Sequence, residues 1–332
     1  MDTRIKYIDV LNIFSCFAVI CLHHNALVHS WQNSADWAQS LIIQVICFWG
    51  VPVFLMLSGA TLLTYRQRYD TITFFKRRCQ RVLLVFLFWS TLLFICINNQ
   101  PDTGFLTALN EILGATKMPI YYFFPLIFSM YLLVPVFSLL IEQRATLWYL
   151  VGIIFFGYSV LNPLAELIGL TNLKLFLPPI YPVFIFFPLG YLLATENLTQ
   201  KQRILIYAAA VAGMIFRYVW VYHFSMQMQK TDRTLFDYTL FFSVLLASAV
   251  FLWIKNAHFY DKWNPRLLQI IASTSLGVYL LHLPFMAFEA NVFNLSEDGW
   301  VWRFVMPFVT YPLCVGLVFE LKQIPYIRRL LP

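Results

Sequence analysis

Charge is what this sequence has least of: Asp, Glu, Lys and Arg together make up only 12% of 332 residues. Soluble domains carry about a quarter, so a water-exposed globular surface is excluded for most of the chain. The usual signatures of soluble enzymes are also missing. There is no dinucleotide-binding glycine pattern, no Walker loop, no HExxH and no GxSxG. Cysteine is sparse too. Cys16, Cys21, Cys47, Cys79, Cys96 and Cys314 form no CxxC pair and stand at no metal-ligand spacing with histidine. Most lie in apolar runs, where cysteine acts as a small hydrophobe, and neither a disulfide nor a metal site is expected. No linker, internal repeat or low-complexity run divides the chain, so residues 1–332 read as one transmembrane domain.

What is abundant is apolar. Hydrophobic residues reach 60% and phenylalanine alone numbers 33. Ten runs are long enough to cross ~30 Å of hydrocarbon as helices: roughly 8–28, 40–63, 82–98, 119–141, 147–163, 179–195, 204–223, 238–256, 275–293 and 303–320. The expected fold class is therefore all-α, a polytopic membrane bundle of about ten transmembrane helices. The first run lacks a small-x-small cleavage site and is expected to be retained rather than cleaved as a signal peptide.

The positive residues orient the spans. With the N-terminus inside, 17 of the 23 Lys and Arg residues fall on the inner side, beginning with Arg4 and Lys6 and ending with Arg328 and Arg329. Five fall outside (Lys117, Lys174, Lys230, Arg233, Arg303) and Arg217 lies within a span. This asymmetry predicts an even number of spans with both termini cytoplasmic. The surplus of positive charge is thus a topology signal, and no nucleic acid partner is expected. Trp31, Trp37, Trp300 and Trp302 fall at outer span ends, where interfacial aromatics belong. Arg217 is expected to snorkel to the outer surface.

Polar groups inside such runs are the candidates for chemistry. The first run holds Asp9 and Asn12 near its inner end and His23-His24 near the other. At 100° per residue Asn12 and His23 fall within ~20° of one face, about 16 Å apart along the axis. A neutral imidazole can serve as a general base; hydrogen bonding to a neighbouring helix is the plain alternative. Arg78 and Arg81, with Lys76 and Arg77 beside them, stand at i and i+3 where the third run enters the membrane. Guanidinium forks match phosphate oxygens; a positive-inside anchor on anionic lipid is the alternative. The stretch 65–81 also reads as an amphipathic helix in the headgroup layer. Pro52, Ser58 and Gly59 interrupt the second run, and Tyr279, His282 and Glu289 share nearly one face of the ninth.

Taken together these residues resemble the integral-membrane acyltransferase family 3, whose members O-acylate bacterial cell-surface glycans. Asp9, Leu11, position 12 and His23 fit the family's first helix. Val51, Pro52, Phe54, Ser58 and Gly59 fit its second, and Phe74, Phe75, Arg77, Arg78 and Arg81 fit the basic stretch that follows. Ser275, Gly277, Val278, Tyr279, Leu280 and His282 are similar to its late Ser-x-Gly-Ile-Tyr-Leu-x-His motif, with Pro284 one place late. The closing IPYIRRLLP is similar to its ending. Two departures stand out: the family's basic residue is Asn12 here, and its His-Leu-Trp-Phe is Ile120, Tyr121, Tyr122 and Phe123.

The resemblance implies an acyltransferase of the bacterial plasma membrane. Acyl-CoA, expected to be acetyl-CoA, would be the co-substrate rather than a resident cofactor, and a cell-surface or lipid-linked glycan the acceptor. His23 would be catalytic and Arg77, Arg78 and Arg81 would hold the donor, with Asp9, Asn12, Ser58, Tyr279 and His282 in support. No hydrolase-like domain is appended, so a stand-alone form is expected. On membrane physics alone a transporter or flippase fits as well, and Asn12 raises a sensor with degenerate chemistry. Membrane lipid is an expected partner; the oligomeric state is not legible.

Overall fold

The structure, a computed structural model, describes residues 5–97 and 104–331, without the side chain of Lys174. Arg4, Asn98 at the end of the third run and Pro332 in the closing motif lie outside the described residues. The described residues form helices and no strand. In chain order these are α1 (Lys6–His23), α2 (Ala35–Cys47), α3 (Gly50–Leu62), α4 (Thr71–Arg78), α5 (Leu84–Ile97), α6 (Phe105–Leu113), α7 (Phe123–Phe137) and α8 (Arg144–Ile153). There follow α9 (Asn162–Leu167), α10 (Phe186–Thr195), α11 (Gln200–Met228), α12 (Phe241–Asn256), α13 (Pro265–Val292), α14 (Trp300–Phe304) and α15 (Met306–Leu321).

Among the described residues seven helical stretches are long and apolar enough to cross a membrane, and three shorter apolar ones, Pro182–Thr195, Phe241–Asn256 and Met306–Leu321, fill the remaining candidate runs. The chain is thus an all-α, multi-pass membrane protein.

Boundaries shift for local reasons. The second run is split at Phe48-Trp49 because Pro52 has no N–H to give the Phe48 carbonyl. In the seventh run the helix, α11, starts earlier than the apolar residues do because Thr199 and Gln202 form a reciprocal capping box. Asn264, accepting from the Arg266 amide, starts the helix of the ninth run, α13, about ten residues before the run itself. The stretch 65–81 is not a separate surface helix. Asp70 caps α4, a π turn over Cys79–Leu83 carries it straight into α5, and Phe74 is buried against Tyr65.

Glycine brings α3 and α10 into backbone contact. A Cβ added at Gly59 would run into the Phe187 carbonyl, and one added at Gly190 into the Met56 carbonyl. Each helix thus lays its glycine on the other's main chain, the small-residue packing that membrane helices favour. Gly190→Ala should lower stability by about 1–3 kcal/mol through overpacking. Thermal unfolding in detergent tests this; a wild-type melting temperature would refute the contact.

The two ends of the bundle are defined by contacts. At one, Lys6 Nζ donates to the Asp261 carbonyl and Lys322 Nζ to the Ser273 carbonyl. At the other, Thr231 donates to the Val28 carbonyl and Arg303 pairs with Asp36 at 2.6 Å. Two outer tryptophans differ from expectation. Trp37 is fully buried, donating to the Val28 carbonyl, and Trp302 is buried with its ring 4.6 Å from that of His24. Arg217 does not snorkel. It is 1% exposed, bonded to Ser243 at 2.6 Å, with its guanidinium carbon 4.9 Å from the Phe48 ring. Stacking on aromatics replaces the water it forgoes.

Candidate active site

One cavity of about 390 Å³ collects residues that the sequence scatters over the whole chain. Its walls are Asn12 and Val19 of α1, Val51, Phe54 and Ser58 of α3, Arg78, Arg81 and Val82, Phe123, Phe124, Ile127 and Tyr131 of α7, Ala272, Ser273, Ser275, Leu276 and Tyr279 of α13, and Lys322. The order along each helix is the same. Asn12, Ser58, Tyr131 and Ala272 lie towards the basic end, while Val19, Val51, Phe123 and Tyr279 lie deeper. Seven residues separate the ends on both α1 and α13, about 10 Å of helix.

The mouth is cationic. Arg78 is half-buried, its guanidinium carbon 5.7 Å from the rings of Phe74 and Tyr131. Arg81 is exposed. Among the described residues neither has a carboxylate partner, and Arg78 Nε is buried without a hydrogen bond. Lys322 completes the mouth, and burial, then Arg81 and Arg328 nearby, push its ammonium below the usual lysine range. A π turn begins at Cys79, between Arg78 and Arg81, and both arginines line the cavity; π turns of this kind recur at functional sites. Arg77 points elsewhere, its guanidinium carbon 4.4 Å over the Tyr69 ring. It lines a surface depression with Arg78, Gln80 and Arg81 instead.

Besides Arg78 Nε, the cavity wall holds Asn12 Oδ1 and Ser275 Oγ, which are buried and have no hydrogen-bond partner among the described residues. Ser58 donates back to the Phe54 carbonyl at 3.1 Å. The Tyr279 hydroxyl is spent on the Ile120 carbonyl, and its ring stands 5.6 Å from that of Phe123. Asp9 is buried nearer the basic end and is not on the cavity wall.

Beyond Tyr279 come the histidines. The rings of Tyr279 and His282 are 6.0 Å apart, and those of His282 and His23 are 4.9 Å apart. Both lie past the cavity's deep end, His23 one turn beyond Val19. His282 Nδ1 approaches the carbonyls of Tyr279 and Val278 at 2.8 and 3.1 Å. A carbonyl only accepts, so Nδ1 carries the proton and Nε2 is a lone pair. Among the described residues that buried lone pair has no partner.

His24 belongs to a different cluster. Its Nδ1 faces the Ile20 carbonyl at 3.1 Å, and Thr310 Oγ1 lies 3.1 Å from its Nε2 and 2.5 Å from Glu289 Oε2. All three side chains are essentially fully buried. Proton counting constrains them, since Thr310 has one hydrogen to give. Either it donates to a neutral His24 and accepts from a protonated Glu289, or it donates to ionised Glu289 and accepts from an imidazolium. The cluster ties the C-terminal end of α1 to α13 and α15. Thr310→Val should cost about 1–3 kcal/mol by leaving two buried polar groups unpaired; a thermal shift within error of zero would refute the cluster.

The structure therefore brings Asn12, Ser58, Arg78, Arg81 and Tyr279 to one cavity, puts His23 and His282 in ring contact beyond it, and leaves Asp9 and Arg77 off its walls. Sequence reasoning missed Lys322, Tyr131 and Thr310, and treated Ser275 only as part of a motif. Lys322 looks like one more positive-inside residue, and Thr310 carries no local signal. Comparison with known proteins adds one finding: residues 5–319 match the family described as acyltransferase domain. No curated protein and no solved structure matches the chain.

Proposed function

The chain belongs to this acyltransferase family and is a membrane acyltransferase, and from that premise we propose that it moves an acyl group, acetyl being the expected one, from cytoplasmic acyl-CoA to a hydroxyl of a cell-surface or lipid-linked glycan in a bacterial plasma membrane. The observation that supports the reading is a cavity that runs from Arg78, Arg81 and Lys322 to Tyr279, with the rings of His282 and His23 next in line beyond its deep end. Its mouth suits phosphates and its length suits a thin pantetheine arm. Cations without carboxylate partners are free to take phosphate oxygens in bidentate fashion. Within the channel, Asn12 Oδ1 is an acceptor awaiting an N–H, which the amides of pantetheine supply. This gives position 12 a role that needs no positive charge.

The reaction is then a single displacement. The acceptor oxygen attacks the thioester carbonyl carbon as His23 takes the hydroxyl proton. The carbon–sulfur bond breaks, and the departing CoA thiolate takes that proton back from the imidazolium. No net proton is consumed. His282 acts through His23: with Nδ1 held by two carbonyls, its Nε2 lone pair is available to accept from a His23 N–H, which would leave the other His23 nitrogen facing the acceptor. Holding thioester and hydroxyl together removes much of the entropic barrier, so no acyl-enzyme is required.

The direct test uses purified protein in nanodiscs with acetyl-CoA labelled in the acetyl group and a glycan-lipid extract of host membranes. Label entering the glycan with stoichiometric release of CoA is expected. Label retained on His23 after acid quench would replace the base by a nucleophile. As a separate check on position 12, Asn12→Arg should weaken acetyl-CoA use, because it fills the channel; a gain of activity would instead show that this chain's chemistry is degenerate.

A further inference from the structure

A second depression of about 420 Å³ lies on the far side of the first turn of α7 from the donor cavity, and the transfer described above makes no use of it. Three tyrosines from three separate segments line it: Tyr122 ahead of α7, Tyr181 ahead of α10 and Tyr238 ahead of α12. Tyr122 and Tyr181 are 46% and 56% exposed. Tyr238 is half-buried and stacked on Phe48 with ring centroids 4.5 Å apart. Asp237 and Thr239 complete the polar rim. Asp237 Oδ1 accepts from the Thr239 amide at 2.7 Å and from its hydroxyl at 2.8 Å. Among the described residues Oδ2 accepts nothing, and the carboxylate is exposed.

The lining selects among ligands. Among the described residues no Lys or Arg lines the depression and an exposed carboxylate does, which disfavours phosphates and other anions there. A fatty chain would cover Asp237 and three phenol tips without bonding them, at the cost of burying polar groups. A pyranose ring fits both features. Its C–H face covers an aromatic ring, and its hydroxyls need acceptors such as Asp237 Oδ2. The location is also apt. Tyr122 is followed by Phe123, which lines the donor cavity against Tyr279. The two cavities therefore stand back to back across that first turn of α7.

We propose that this depression is the acceptor subsite and that it binds a pyranose ring of the glycan, with the tyrosines as stacking walls and Asp237 as hydroxyl acceptor. The inference rests on the transfer from acyl-CoA to glycan argued above. Its test titrates the glycan-lipid extract against fixed labelled acetyl-CoA, and then the reverse, for Tyr181→Ala and Asp237→Asn in nanodiscs. Each variant should raise the apparent KM for the extract about tenfold, the loss of one stacking wall or one charged hydrogen bond. The KM for acetyl-CoA should stay at its wild-type value. Tyr181→Phe, which keeps the ring, should retain most of the affinity for the extract and controls for misfolding. Unchanged KM for the extract in both variants, or a shift confined to acetyl-CoA, would overturn the subsite and leave the acyl transfer standing. Wild-type protein that labels no glycan would overturn the transfer to glycan itself, and the subsite with it.

Discussion

A His23→Ala protein that inserts and melts like the wild type is expected to transfer acyl groups about 10²- to 10⁴-fold more slowly, the usual contribution of a positioned general base. The loss should fall on kcat, since His23 is not among the residues lining the donor cavity. The KM for acyl-CoA should change by less than about twofold, because uniform binding is untouched. His282→Ala should reproduce part of this loss, as its ring stands 4.9 Å from that of His23. The double variant should lose no more than His23→Ala alone, because two residues acting as a unit are non-additive. Transfer at the wild-type rate by folded His23→Ala would remove the assignment.

The second large effect is expected at the mouth. Replacing Arg78 and Arg81 together by Gln should raise the KM for acyl-CoA about 10²-fold or more, at about 1.5–3 kcal/mol per charged hydrogen bond lost. The wild-type KM should rise with added salt, and the variant's should rise less, because the cations at the mouth interact through solvent. Lys322 gives this site a pH signature. Its folded value is depressed by burial and by Arg81 and Arg328. The ammonium therefore loses its proton at a lower pH than an ordinary lysine, and KM should climb as pH rises into that region. Lys322→Met should flatten the climb. Arg77→Gln is the matched control: its guanidinium sits over Tyr69, away from the cavity, and KM should stay within about twofold of the wild type. If the double variant altered insertion and left KM untouched, the arginines would be a topological anchor.

Much of the architecture was legible because membrane crossing is a local property. A run of apolar residues either spans hydrocarbon or does not, and all ten candidate runs correspond to apolar helices. The motif set was legible for a related reason. Close backbone approach at Gly59, or two arginines at the entrance of a span, leaves a mark in a few adjacent letters. Helix ends were read less well, since hydropathy stops where a charge appears while the helix continues to its cap, as at Asn264 and Thr199.

What only the tertiary structure decided is which polar groups meet. His23 and His24 are neighbours in sequence, yet one joins His282 and the other joins Thr310 and Glu289, because successive helical residues point about 100° apart towards different helices. Arg217 is held inside by Phe48 and Ser243, and neither partner is visible from its own run. The sequence by itself determined a multi-pass helical acyltransferase. The packing of α1, α3, α7 and α13 determined that Asn12, Ser58, Arg78, Arg81 and Tyr279 share one cavity, because contact between residues hundreds of positions apart is set by how helix faces fit together.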